Sequence, residues 1–141
     1  MKRNEFEKLT AEGYEKLPEW VRDKIRNVAL LIEDEPSEEV RLRERLGHDE
    51  TLLGYYHGIP LSERGEHYGV GETMPDTITL YQSSIEDAAA ETLSDAELGD
   101  ESAFREAVRK EVADTIWHEF AHHFGMDEHE VRLRESKRGI E

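Results

Sequence analysis

The strongest constraint on the fold is one apolar stripe late in the chain. Ala107, Val108, Val112, Ile116, Trp117, Phe120 and Phe124 recur at three and four residues, the period of a helix with one buried face. Gly125 follows at once, where glycine commonly ends a helix because it adopts positive φ without steric cost. The spacing predicts a helix starting near Glu101–Phe104 and ending at Phe124 or Gly125. Its Val112, Ile116 and Phe120 face must be covered. The β-prone runs Val28–Ile32, Leu52–Tyr56 and Thr77–Tyr81 supply a small sheet for it to pack on.

Upstream, Phe6, Leu9, Tyr14 and Leu17 read as one face of a helix from Asn4 to Leu17, interrupted by Gly13. Pro18 resets the chain. Glu19 to Arg26 then reads as a short helix that buries Trp20, Val21 and Ile25. The strand of Val28–Ile32 is expected to be buried and ends in the polar turn Glu33-Asp34-Glu35-Pro36. Ser37-Glu38-Glu39-Val40 starts a helix whose alternating Arg and Glu form a solvated face. Gly58 to Gly71 is a loop, and Ile85 to Leu98 is helix-favouring. With 141 residues, no repeat and no break in composition, residues 1–141 are expected to form a single α+β domain: a small mixed β-sheet on the long helix, with additional helices.

Charge and composition then narrow the function classes. Thirty-four acidic residues against eighteen basic ones give a formal charge of −16, the wrong sign for nucleic acid or an anionic membrane. Without cysteine there is no disulfide, thiol nucleophile or thiolate metal site, so any metal must be held by His, Asp and Glu. The N-terminus shows no apolar signal-peptide core, and the longest apolar run, Val28 to Ile32, is far short of the roughly 20 residues of a membrane span. The expectation is a soluble cytoplasmic protein, with a monomer plausible.

Near the end of the long helix stands His118-Glu119-Phe120-Ala121-His122, an HExxH string. Helical residues four apart lie one turn above each other, so both imidazoles can point at one ion. Glu119 leans to the same side, where its carboxylate is placed as general base toward a water on that ion. A third ligand is required. The string continues as HExxHxxGxxE, and Gly125 can reverse the chain so that Glu128 swings back onto the metal. Asp127, His129 and the more distant Glu135 are its rivals. Asp127 also begins Asp-x-x-Glu with Glu130, a possible capping box for a last helix through Val131 and Leu133.

His118 to Glu128, HEFAHHFGMDE, resembles the HExxHxxGxxD signature of the small bacterial zincin-like metallopeptidases, or minimal metalloproteases. Leu52 to Gly65, LLGYYHGIPLSERG, is similar to that family's LLGLYEGxPLTERG stretch, and Pro75 to Tyr81, PDTITLY, to its PDxITLF strand. The likeness spans about Val28 to Val131. It implies a compact zincin-like domain that binds Zn2+ through His118, His122 and an acidic third ligand, with Glu119 as general base. Glu128 stands where the family has aspartate, one methylene shorter. No methionine follows Met126, so the match is to the minimal family and not to full metzincins, which carry a methionine turn below the zinc.

The function expected is therefore that of a zinc-dependent metallopeptidase, with a peptide or protein substrate. The Thr77–Tyr81 strand is expected as a sheet edge beside the cleft, where an extended peptide can add as a strand. The alternatives are a metal-binding zincin-like interaction or regulatory module with little proteolysis, and a hydrolase of a non-peptide amide or ester. His123 lies about 100° around the helix from His122 and is expected to play a structural or supporting role. Trp117, Phe120 and Phe124 are read as core, and His57, His67 and Arg64 as loop residues without an assigned role.

Overall fold

The computed structural model of the chain describes residues 1–58 and 75–123. Helices α1 (Arg3–Glu15) and α2 (Glu19–Lys24) lead into strand β1 (Ala29–Glu33). Helix α3 (Glu38–Arg43) and strand β2 (Gly54–His57) follow. Strand β3 (Thr77–Tyr81) runs directly into α4 (Gln82–Glu91), and α5 (Glu101–His123) is the last described element. The mixed α+β class read from the sequence is the one observed, with five helices and a three-stranded sheet among the described residues.

Local chemistry accounts for the element ends. The Asp100 carboxylate accepts from the amides of Ser102 and Ala103, at 2.9 and 3.2 Å, and so caps the start of α5. Ser37 does the same for α3 by accepting from the Val40 amide. The helix expected over Ile85–Leu98 starts three residues earlier and stops at Glu91. Buried Gln82 and Ser84 extend it backwards, and the Thr92 hydroxyl, which donates to the Ala89 carbonyl at 2.7 Å, marks its end. No residue of α3 is buried, as its charge pattern implied.

The sheet order is β1-β3-β2, with β1 parallel and β2 antiparallel to β3. Ala29 pairs with Thr77 and Glu33 with Tyr81 on one side, and Gly54 with Leu80 and His57 with Thr77 on the other. This corrects the expectation that Thr77–Tyr81 is a sheet edge. It is the central strand, with neighbours along both sides and four of its five residues buried. The strand expected to be buried over Val28–Ile32 is observed as Ala29–Glu33 and is an outer one among the described residues, and its Leu31 is 44% exposed. His57, expected in a loop, is the last residue of β2.

Helix α5 packs on α1, α4, β2 and β3. Val108, Val112, Ile116, Trp117 and Phe120 are each at most 2% exposed. Burial of each such side chain contributes about 1.5–3 kcal/mol. The ion pairs that join α1 to α5 at the rim, Arg105 with Glu5 and Arg109 with Glu12, are only partly buried and remain within reach of solvent screening, so apolar burial dominates this contact. Trp20, expected inside, is 42% exposed, but its ring meets Trp117 and Phe120 edge-on at 6.0 and 5.8 Å.

Gly13 does not interrupt α1. The helix runs through it, and it marks the crossing with α5: a Cβ there would lie 2.8 Å from the Arg109 carbonyl oxygen and 3.0 Å from Val112 Cγ1. Exchange of glycine for alanine inside a helix ordinarily gains about 0.5–1 kcal/mol. Here a backbone oxygen stands in the way, and overpacking of this kind costs about 1–3 kcal/mol. Gly13→Ala is therefore expected to lower the melting temperature, as followed by circular dichroism. A higher melting temperature would show that the two helices part without cost.

Candidate functional site

The apolar face of α5 leaves the opposite side of its last two turns for polar side chains. Ile116, Trp117, Phe120 and Ala121 are buried, while His118 and Glu119 are half-buried and His122 is exposed. His118 and His122 stand one turn apart, their ring centroids separated by 6.2 Å. His118 Nδ1 is 3.1 Å from the carbonyl oxygen of Asp114. A carbonyl oxygen can only accept, so this contact selects the tautomer with hydrogen on Nδ1 and puts the ring's lone pair on Nε2. Metal-binding histidines are commonly oriented in this way.

Strand β2 supplies the other half of the arrangement. The amide of Tyr56 donates to Glu119 Oε1 at 3.0 Å. The reason lies in the ladder. Tyr81 donates to the Leu53 carbonyl, so alternate residues from Leu53 onward bond to β3, and Tyr56 falls among those whose amides point outward. Close approach of β2 to α5 requires Gly54, where a Cβ would lie 2.7 Å from Thr115 Cγ2 and 3.7 Å from Glu119 Cγ.

Beside these groups lies a cavity of about 410 Å³, in the size range of ligand sites. Thr51, Leu52, Leu53 and Gly54 line one wall, and Glu111, Asp114, Thr115, His118 and Glu119 the other. A larger cavity of about 650 Å³ runs along α5 near Pro18 and Leu93 and touches neither histidine nor Glu119. Burial pushes the carboxyl of Glu119 above its ordinary value; the Tyr56 amide and the two imidazoles oppose this without cancelling it. Burial also raises Glu111, against the pull of Lys110 and His118.

Of the site residues expected from the sequence, the structure brings together His118, Glu119 and His122. Glu128 and its rivals Asp127, His129 and Glu135 lie outside the described residues, as do Phe124, Gly125, Arg64 and His67. Among the described residues no group of three His, Asp or Glu side chains is close enough to hold a metal ion. The two imidazoles are donors of a type that zinc takes, and four-residue spacing on a helix suits them to one ion. Sequence reasoning passed over Glu111, Asp114 and the backbone of Tyr56. The first two share a helical face with His118, at seven and four residues before it, a signal open to reading. The Tyr56 amide has no signature in sequence.

The chain matches the zincin-like metallopeptidase family over residues 25–138 and belongs to that family, whose members are zinc-dependent. No match is found among curated proteins. No helix among the described residues is long and apolar enough to cross a membrane.

The raised carboxyl of Glu111 has a measurable consequence. Its folded-state pKa lies above the ordinary 4.5, so the folded chain holds the proton more tightly than the unfolded chain. The stability this contributes is present below the ordinary value and is lost as pH rises through the raised one. Metal-free Glu111→Gln should therefore melt above the parent protein near pH 7, and the difference should shrink toward about pH 4. A difference that stays constant across that range in thermal melts would contradict the assignment.

Proposed function

We propose that the chain is a zinc-dependent peptidase in which His118, His122 and Glu128 hold the metal and Glu119 is the general base. What supports this most directly is the convergence of two imidazoles and a half-buried carboxylate at one end of α5, in a chain of the zincin-like metallopeptidase family. Zinc, when bound, supplies Lewis-acid polarisation of the scissile carbonyl and an acidified water. The remaining work belongs to the chain.

Glu119 must accept a proton from water and hand it to the departing amine. The Tyr56 amide fixes Oε1, which leaves Oε2 as the oxygen that takes the proton. Burial favours the protonated form of Glu119, and so the state that donates to the amine. Its hydrogen bond to the amide and the neighbouring imidazoles favour the ionised form that begins the cycle. The opposing influences suit a group that must do both. The cavity bounded by Leu52, Leu53 and Gly54 on one side and His118 and Glu119 on the other is the space for the substrate.

Three measurements test this reading. Elemental analysis of the purified protein should find about one zinc per chain, lost on dialysis of His118→Ala. Glu119→Gln should keep the metal and lose peptide turnover by about 10²–10⁴-fold, the usual contribution of a general base. A zinc-bound protein with no turnover of a peptide library would favour the interaction-module reading instead.

For the third ligand, Glu128→Gln should weaken zinc by more than the roughly 10–100-fold typical of supporting residues, while Glu128→Asp restores the family residue and retains metal. Asp127→Asn should leave zinc in place. Should Asp127→Asn lose metal while Glu128→Gln keeps it, the ligand register moves by one residue.

A further inference from the structure

His123, the last residue of α5, faces a cluster that the proposed chemistry does not use. Its ring stacks on that of Tyr56, with centroids 3.8 Å apart and planes within 13°. The Tyr56 hydroxyl donates to Asp76 Oδ2 at 3.0 Å, and the same oxygen lies 3.9 Å from His123 Nε2. Gly58 closes on the cluster as well: a Cβ there would stand 3.0 Å from His123 Cε1 and 3.7 Å from Asp76 Oδ2. Asp76 is itself anchored, because its carbonyl accepts from the Ala29 amide at the start of β1. Three polar side chains, from β2, from the residue before β3 and from the end of α5, thus meet in one fitted contact.

Core packing does not account for this contact. The side chains of His123 and Asp76 are 37% and 21% exposed. What sets the cluster apart is that Tyr56 belongs to two arrangements at once. Its ring and hydroxyl are held by His123 and Asp76, while its amide holds Glu119 Oε1. We infer that Tyr56, Asp76 and His123 form a clamp that positions the Glu119 carboxylate, acting through the Tyr56 amide. The clamp ties the last described turn of α5 to β2 and β3, and the distance between the Tyr56 amide and Glu119 depends on the tie. None of the three side chains touches the reacting atoms, so they are positioning residues.

What the clamp is for rests on the reading of Glu119 as the base, but the coupling itself can be measured without turnover. The measurement is amide hydrogen exchange in ¹⁵N-labelled, metal-free protein. Glu119→Ala removes the acceptor and sets the floor, where the Tyr56 amide should exchange about tenfold faster, the worth of one hydrogen bond. His123→Ala and Asp76→Ala should each bring Tyr56 toward that floor, while amides in the β2–β3 ladder keep their protection. His123→Phe, which keeps a ring to stack on Tyr56, should restore most of it.

In the zinc-loaded protein the same variants should lower kcat with KM little changed, since the base is displaced and the substrate cavity is not. Unchanged Tyr56 exchange in both alanine variants would overturn the clamp. Equal loss throughout the β2–β3 ladder would also overturn it, because the residues would then be general supports of the sheet. Should His123→Ala fail to fold, Asp76→Ala and His123→Phe carry the test, as both keep a ring stacked on Tyr56. If exchange behaves as expected while Glu119→Gln retains full turnover, the clamp stands and the assignment of Glu119 as base falls.

Discussion

The burial of one face of α5 is what the remainder of the structure depends on. Val112, Ile116, Trp117 and Phe120 fix the rotation of the helix about its own axis. At about 100° per residue, that rotation decides where every other side chain on the helix points. His118 and Glu119 interleave with the buried set and are carried to the side that faces β2. A slip of one residue in one direction would put His118 and His122 in the core, and in the other would expose Trp117 and bury Glu119. The apolar stripe and the polar string are thus one constraint: the first keeps the second in place.

The second constraint is the alternation of the antiparallel ladder. Because Leu53 bonds to Tyr81, the amide of Tyr56 points away from β3, and there it meets Glu119. Had β2 paired one residue out of register, that amide would be engaged with β3 and Glu119 would lose its donor. Gly54 lets the strand come close enough for the bond to form. Sheet register and helix rotation are set independently, and the Tyr56 amide is where they meet.

Much of this was legible in the sequence, for reasons that differ by element. Period-3.6 and period-2 patterns mark where a chain buries a face, and the described helices and strands lie within a few residues of those patterns. The order of the strands was not legible. Thr77-Ile78-Thr79-Leu80-Tyr81 alternates as if one face were wet, and nothing in that pattern tells an edge strand from a central one. Yet Thr79 is 7% exposed, because threonine, β-branched and only weakly polar, fits an inner position. Gly13 misled in the same way: propensity reads it as a break, and only the helix crossing it reveals the need for a missing side chain. In the candidate site, HExxH was readable because its chemistry resides in side chains at fixed spacing. The partner of Glu119 was not, because a backbone amide is common to nearly every residue.

The directions in which carboxyl groups are pushed separate the site from the surface. Glu12 is pulled down by the Arg109 guanidinium, Glu106 by Lys16 and Glu97 by the backbone of Ser94. Each of these acids lies at the surface and gains by remaining charged. Glu111 and Glu119 are pushed up instead, both by burial, and both line the 410 Å³ cavity. A half-buried carboxylate with a raised pKa weakens the fold at neutral pH, and this chain carries many acids that sit in water without such a cost. Stability alone would place an amide or an apolar side chain at these two positions. Both carboxyls line the cavity that His118 also lines, a placement that accords with the proposed role of Glu119 in taking up and releasing a proton.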